Sequence, residues 1–597
     1  MNEQKKNNGD NEELKKKIVD IETKLSNLTA KKNRDKVIDN FKALDGTTNA
    51  FEAGVWKIQK NVFPKHQPSP PSAKLDMNGK LVTSKEDIKQ LYIDTFTHRL
   101  RDRPAKSGYE NIQKLQEELC DERLKLTKQN KSPDWDMKDL EFALGKLKKN
   151  KARDPHEIAN EIFRPEVAGL ELKKSLVMMF NKMKSQTFIP EFARLKNIST
   201  IFKNKGSRLQ LQNDRGVFVG SIFNNILMSL IHKDKNDIID ENMSDSQIGA
   251  RKRKSTRNNT FIILGCINEA IRTKNAETDV IVTDIQECFD SLHLETSLND
   301  LYDSGVKDDQ LNLIFEADRS SLVAVKTSVG ITERKTVEKK ILQGEKLGPV
   351  ICSNSVDKIG KECIENDKNL HLYRNETKIP PLAMVDDVIA LAACGAKSAQ
   401  MCAYLKAQAN IMKLRFGVSK CYKIHVGKDK TKCPDLMLDN WKLEPKGEHL
   451  NSIWDHVDVE DESTELKSVS STKYLGYIIS SGGSNTLNIN ERVKRGLIAG
   501  NKIKQILEEI TFGPYETEVF LRLRDSLFIS TVLHDSEAWY NITDQDIKSL
   551  EDCDLMVLRQ YFSLHSKCPR ELPHLELGAL PLRFVLMQKR ILFLNIY

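Results

Sequence analysis

The chain has 597 residues, 39% of them apolar and 30% charged, with a formal net charge of +8 and eleven cysteines. That length is too great for one ordinary core and leaves room for about three or four structural units. No apolar run approaches the ~18 residues of a membrane span, so the expectation is a soluble globular protein.

The opening Met1-Asn-Glu-Gln-Lys-Lys-Asn-Asn lacks the apolar core of a secretory signal. The cysteines include no Cys-x-x-Cys, so they read as reduced thiols that mostly pack, with neither a zinc site nor a disulfide framework indicated. The mild positive charge favours a polyanion partner only weakly, but its distribution says more, with dense basic runs at 146–153 and 251–257.

In the first 60 residues Leu14, Ile18, Ile21, Leu25 and Leu28 alternate spacings of four and three, the seam of a short helical coil. Two heptads do not fix an oligomer, and the seam reads as an amphipathic helix docking on its own protein or a frayed tail, in preference to a self-associating coil. The prolines at 64, 68, 70 and 71 mark a linker over 61–73. From Ser84 to about Glu166 the pattern is helical, within an N-terminal extension assigned to 74–180. Lys148, Lys149, Lys151 and Arg153 there suit a phosphate backbone or a solvated helix face equally.

Residues 198–206 read as a strand running into a glycine turn, and 213–219 as the returning strand. Lys203, Lys205 and Arg215 near the tip supply phosphate-binding donors, the arginine bidentately. Gln247-Ile-Gly-Ala-Arg-Lys-Arg-Lys-Ser-Thr then leads into a helix with Phe261, Ile262, Leu264, Ile267 and Ile271 on its apolar side. Arg251 to Lys254 suits a nuclear import signal or a nucleic-acid contact, and the sequence does not separate them.

Val280, Ile281 and Val282 form a strand buried on both faces that ends at Asp284, with Phe289 and Asp290 following as a helix begins. Farther on, two short apolar runs flank Asp386 and Asp387, a strand-turn-strand with the carboxylates at the reversal. Alone the pair is a solvated turn. Beside Asp284 it is half of a two-metal site, because phosphoryl transfer calls for oxygen ligands that hold Mg²⁺ and leave positions open.

Several blocks in this order resemble the reverse transcriptase of a non-LTR (LINE-like) retrotransposon. They are Lys-x-Lys-Gly at 203–206 and Asn-x-Arg-Gly at 213–216, Gly-x-Arg-Lys-x-x-Ser-Thr at 249–256, and Asp-x-x-x-x-Phe-Asp at 284–290. Gln-Gly-x-x-Leu-x-Pro at 343–349, Met-Val-Asp-Asp at 384–387 and Tyr-Leu-Gly at 474–476 follow. Asn150-Lys-Ala-Arg-Asp-Pro, Ser536-Glu-Ala-Trp and Leu575 to Arg583 extend the likeness over roughly residues 50 to 597.

The resemblance implies an α+β right-hand polymerase: fingers and palm with an antiparallel palm sheet over 181–480, a helical thumb and C-terminal helical region over 481–597, and a helical N-terminal extension. It implies that Asp284 and Asp386 hold two Mg²⁺ ions, Mn²⁺ being able to substitute, with Asp387 completing the site. Arg215 and Lys203 would hold the incoming triphosphate, Phe289 would exclude a 2′ hydroxyl, and Lys420 would stand near the departing pyrophosphate. Gln343 and Gly344 would let template and nucleotide approach the backbone, and Tyr474 to Gly476 would grip the primer. Ile489, Val493, Leu497, Ile503, Ile506 and Ile510, interspersed with basic residues, suit a thumb helix along a heteroduplex.

The implied partners are an RNA template, a DNA primer or target and deoxynucleoside triphosphates. No membrane is involved, the oligomeric state is open, and residence is nuclear or in a cytoplasmic ribonucleoprotein before import. The departures from the family pattern are Met384-Val385 for an aromatic and Ala, Gly348 for Ser, Asp154 for Gly, His156 for Asp, and His534-Asp535 for Tyr-Gly.

Too few residues precede the extension for an apurinic-type endonuclease, there is no Cys/His knuckle, and the pattern breaks off inside an apolar helix at Tyr597, so the expectation is a truncated copy or one lacking its endonuclease. The competing readings are a catalytically inactive or decayed RNA-binding relative and, less favoured by the 536–539 and 575–583 blocks, an intron maturase.

Overall fold

The computed structural model describes residues 73–595 except 77, 102–104, 106–107, 274–276, 286, 339, 342–345, 366–371, 375–376, 394–395, 418–419, 428–435, 438–464 and 510–515. The coil seam and proline linker lie outside the described residues. The chain gathers into two compact units, one over Ser69–Gly483 and one that includes Ser484–Tyr597.

The larger unit opens with a short antiparallel hairpin of Lys74–Leu75 and Leu81–Val82, then α1 (Lys85–Leu100), whose N-cap Ser84 accepts from Asp87 N, α2 (Glu110–Gln129), α3 (Met137–Gly145) with an Asp136/Asp139 capping box, and α4 (Leu170–Gln186). Next come β1 (Leu195–Phe202), β2 (Asp214–Gly220), α5 (Ile222–Asn242), α6 (Thr256–Arg272), β3 (Thr278–Asp284), α7 (Cys288–Ser291), α8 (Leu294–Asp303), α9 (Asp309–Asp318), β4 (Ser320–Thr327) and β5 (Lys335–Glu338). The unit closes with α10 (Gly348–Glu365), β6 (Leu382–Met384), β7 (Asp387–Ala392), α11 (Ala396–Ile411), β8 (Tyr422–Val426), β9 (Glu465–Ser468), β10 (Ser471–Tyr474) and β11 (Tyr477–Ser480).

Two sheets organise this unit. In the first, β2, β1 and β4 lie side by side, β1 pairing antiparallel with β2 and parallel with β4. Ile88, Tyr92, Phe96 and Leu100 of α1 pack on it against Ile198, Phe218, Val323 and Val325. The second runs β6-β7-β3-β8-β9 with the short strand Leu436–Met437 at its edge. Its first four strands are antiparallel, as expected of the palm, while β9 joins β8 in parallel. Six of the seven residues of β3 are buried, which is why it reads as a continuous apolar run rather than an alternation.

Asp154 replaces the glycine of the resemblance and has its own job. It is 3% exposed; Oδ1 accepts from His156 N and Ile158 N, and Oδ2 from Ile222 N at 3.2 Å. It thus caps α5, whose own N-cap Ser221 makes no side-chain cap bond.

The smaller unit is helical: α12 (Thr486–Glu509), α13 (Glu516–Leu523) continuing through a π-helical turn at Arg524–Ile529, α14 (Asp544–Phe562), α15 (Leu572–Leu577) and α16 (Leu582–Leu594). The expected thumb periodicity falls on α12, with Ile489, Ile503 and Ile506 buried; Ile510 lies outside the described residues. Arg524 makes a bidentate pair with Asp554, at 2.9 and 2.6 Å, in the interior of this unit. On α12 a Cβ at Gly496 would stand 2.5 Å from Val532 Cγ2, and one at Gly500 2.6 Å from Val557 Cγ2. Among the described residues no helix is long and apolar enough to cross a membrane.

Candidate active site

Strands β3 and β7 meet in a register that sets Asp387 directly across from Asp284. Directly opposed residues of an antiparallel pair project from the same face with Cβ atoms about 5 Å apart, so the two carboxylates share one edge of the sheet. Asp386 occupies the tight reversal between β6 and β7, whose flanking pair is Met384 and Asp387. The sequence singles out Asp386 as the direct partner of Asp284; by register, Asp387 is the residue opposite.

Electrostatics mark the place as short of positive charge. Loss of hydration, then the neighbouring Asp386 and Asp284, push the Asp387 carboxyl up to about 6, against a partial offset from Lys420. Asp386 is raised too, by burial and then Asp284, with Arg215 and Lys420 pulling the other way. Lys420 Nζ sits 2.7 Å from Asp284 Oδ2, and the backbone N–H of Gly417 donates to the Asp284 carbonyl at 2.7 Å.

A donor set of three clustered, mutually repelling carboxylates suits a hard cation such as Mg²⁺. Among the described residues no three His, Cys, Asp or Glu side chains are gathered in ligating geometry, and Asp284 directs an oxygen to Lys420 instead.

The fold thus brings Asp284, Asp386, Asp387, Arg215 and Lys420 into one electrostatic neighbourhood. Arg215 is exposed on β2 opposite Ile201. Lys203 lies toward the tip at the same end of that hairpin, just past the Phe202–Asp214 pair, where its amine donates to the Gln212 carbonyl at 3.1 Å and its backbone N–H to the Asn213 carbonyl. Phe289 is half-buried on α7 and packs on the main core. Gln343 and Gly344 lie outside the described residues. Tyr474 ends β10 before a hairpin turn with positive φ at both Leu475 and Gly476, and burial, helped by the nearby Asp387, holds its phenol above the ordinary value.

The structure gives the two basic runs a local setting that the sequence did not. The run 146–153 follows α3 as an irregular exposed loop rather than a helix face, with Lys149 on Glu166 at 3.1 Å. Burial, then Lys146 and Lys148, lower the ammonium pKa of Lys346, so Lys346 shares a neighbourhood with two lysines about 200 residues upstream. In the run Arg251 to Lys254 the Arg251 side chain is buried and bonds Asp240, while Lys252 and Lys254 pair at the surface with Asp237 and Asp245. Those aspartates stand within fifteen residues upstream, a signal the sequence offered.

The sequence also gave no hint of how the acidic turn is held. Val385 has φ +60°, a left-handed conformation that costs a β-branched residue roughly 1–2 kcal/mol. Replacing the usual Ala-type residue by Val is therefore accommodated under strain. Its backbone is gripped by Gln247, which is fully buried: Oε1 accepts from Val385 N at 2.9 Å, and Nε2 donates to Val385 O at 3.2 Å. Gly249 lies so close that a Cβ there would stand 2.3 Å from Val385 N.

Residues 216–479 match the family model described as reverse transcriptase (RNA-dependent DNA polymerase), a span that includes Asp284, Phe289, Asp386, Asp387 and Lys420. No curated protein matches the chain. Among solved structures, a telomerase from Candida albicans in complex with a TWJ fragment of telomeric RNA is similar at 10% identity and a TM-score of 0.35, over 66% of each chain. An apo telomerase from Candida tropicalis truncated from its C-terminal domain is similar at 13% identity and a TM-score of 0.31, over 55% of this chain and 60% of that one. The chain spans less than two thirds of the length of either. The chain carries a reverse transcriptase (RNA-dependent DNA polymerase) domain of mixed α+β polymerase fold, by class a nucleotidyltransferase domain.

Proposed function

We propose that the protein is the RNA-directed DNA polymerase of a non-LTR retrotransposon, extending a DNA 3′ hydroxyl along an RNA template. The observation that carries the reading is the cross-strand placement of Asp284 and Asp387 with Asp386 in the adjoining turn. Support for the retrotransposon context comes from the blocks at 150–155, 536–539 and 575–583, outside the matched domain.

In this reading Asp284, Asp386 and Asp387 hold divalent ions, Mg²⁺ with Mn²⁺ able to substitute. Such ions activate the attacking hydroxyl and offset charge on the leaving pyrophosphate. Arg215 orients the triphosphate from the fingers hairpin, and Lys203 adds positive potential at its tip. Lys420 releases Asp284 and turns its ammonium to the pyrophosphate. The half-buried ring of Phe289 excludes a 2′ hydroxyl, and Gln343 and Gly344 admit template and nucleotide. The lysine group 146, 148 and 346 attracts nucleic-acid phosphate. The work is done in the nucleus.

The test is primer extension by the full chain on an RNA template with an annealed DNA primer, deoxynucleotides and Mg²⁺. Wild-type extension that falls at least about a thousandfold in Asp386→Asn/Asp387→Asn supports the reading, on the scale of losing principal catalytic groups. Intact RNA binding with no extension by either protein replaces it with a non-catalytic RNA-binding relative.

A further inference from the structure

We propose that Gln247 is the positioning residue of the acidic turn: its carboxamide holds both backbone polar groups of Val385 and so sets the direction in which Asp386 and Asp387 leave the sheet. The proposal rests on the polymerase reading above and adds to it a residue that lies 37 positions from Asp284 and 139 and 140 from Asp386 and Asp387.

A primary amide has two donor hydrogens and two acceptor lone pairs. Gln247 uses all four. Oε1 accepts from Val385 N at 2.9 Å and Gly249 N at 2.8 Å, and Nε2 donates to Val385 O at 3.2 Å and Ser353 O at 3.2 Å. It therefore ties the turn to α10, the helix that begins just past segment 342–345.

The residue is itself fixed. Ile248 N donates to Ala383 O at 2.9 Å and Ala383 N to Ser246 O at 2.8 Å, laying 246–248 along β6. Arg251 Nη1 donates to the Gln247 carbonyl at 3.0 Å while its Nε donates to Asp240 Oδ1 at 2.7 Å on α5. An unbroken line of polar contacts thus runs from α5 through Arg251 and Gln247 to Val385.

A β-branched residue in the left-handed region reverts to extended backbone unless its surroundings hold it there. With the amide gone, relaxation at Val385 would swing Asp386 and Asp387 out of register with Asp284. Glutamate in its place would keep the acceptors, lose both donors and add a buried charge beside the carboxylates.

The experiment compares Gln247→Met, Gln247→Glu and Gln247→Met/Val385→Gly with wild type. The control is Asn299→Leu, which removes a buried amide whose Nδ2 donates to the Gln116 carbonyl between α8 and α2. Readouts are kcat and KM for deoxynucleotide, the primer–template Kd, and Mn²⁺ affinity by electron paramagnetic resonance.

In Gln247→Met, kcat should fall about thirtyfold and Mn²⁺ affinity about tenfold, with the primer–template Kd within threefold of wild type. Val385→Gly should restore at least fivefold of the lost kcat, because glycine adopts the positive φ without the clamp. Asn299→Leu should lower the melting temperature and leave Mn²⁺ affinity unchanged.

A folded Gln247→Met with wild-type kcat and Mn²⁺ affinity overturns the proposal, as does the absence of rescue by glycine. If Gln247→Met does not fold, Gln247→Glu decides by the same two readouts. If wild type extends no primer, the polymerase reading fails, and Mn²⁺ affinity alone still judges the clamp: equal affinity in wild type and variant overturns it. A wild type that neither extends nor binds Mn²⁺ overturns both.

Discussion

The two ends of strand β3 carry the same side chain in opposite circumstances. At its start Asp279 is 1% exposed and fully engaged: Ser398 Oγ donates to Oδ2 at 2.5 Å, His425 Nδ1 to Oδ1 at 2.8 Å, and Lys423 Nζ lies 3.9 Å away. Across the ladder it faces Ala392. At the other end Asp284 faces another carboxylate, with Lys420, itself 64% exposed, as its ion-pair partner. A buried carboxylate with hydrogen bonds to both of its oxygens holds a fold together; one set against its own kind at an open edge is kept for something that arrives from outside.

That contrast can be broken by exchange. Asp279→Asn should cost about 3 kcal/mol of stability, because it removes the buried carboxylate that Lys423, His425 and Ser398 face, and leave kcat at 20 °C within a few-fold. Asp284→Asn should do the reverse, abolishing extension while the denaturation midpoint holds or rises. Chemical denaturation and primer extension on both variants check this, and matching losses in both readouts would erase the distinction between the two ends.

A finer version uses pH. The folded Asp387 carboxyl, at about 6 against an ordinary 3.8, binds its proton more tightly than the unfolded chain does. The stability this confers is fully present below 3.8 and is lost as pH rises through about 6. Chelator-treated wild type should therefore gain more melting temperature between pH 7 and pH 5 than Asp387→Asn does. Equal gains would show that burial and the neighbouring carboxylates do not raise the Asp387 carboxyl.

The smallest effect expected is for Val385→Gly in the otherwise native chain. Relief of the left-handed strain should offset lost packing and greater unfolded-state freedom, leaving stability within about 1 kcal/mol of wild type. A loss above 2 kcal/mol would mean the valine's packing outweighs its strain.

The palm was legible because its strands are buried on both faces, so apolar runs and acidic ends stand out in the sequence. The reversal after Met384 and the strand ending at Asp284 fall where the runs predict. What escaped was whatever depends on register between distant segments. Gln247 is an ordinary polar residue until 246–248 lies along β6, and Asp154 is a missing glycine until α5 presents Ile222 N to it. Charge misled for a related reason: Arg251 counts as a free cation in the sequence, yet Asp240, eleven residues upstream near the end of α5, takes it.

In the smaller unit, Gly496 and Gly500 bring the backbone of α12 to within side-chain contact of Val532, Cys553 and Val557. Two helices meshed at that range share one register along their length and cannot slide past one another by a fraction of a turn. Any displacement of α12 would carry α14 with it, so the pair would move as a single lever.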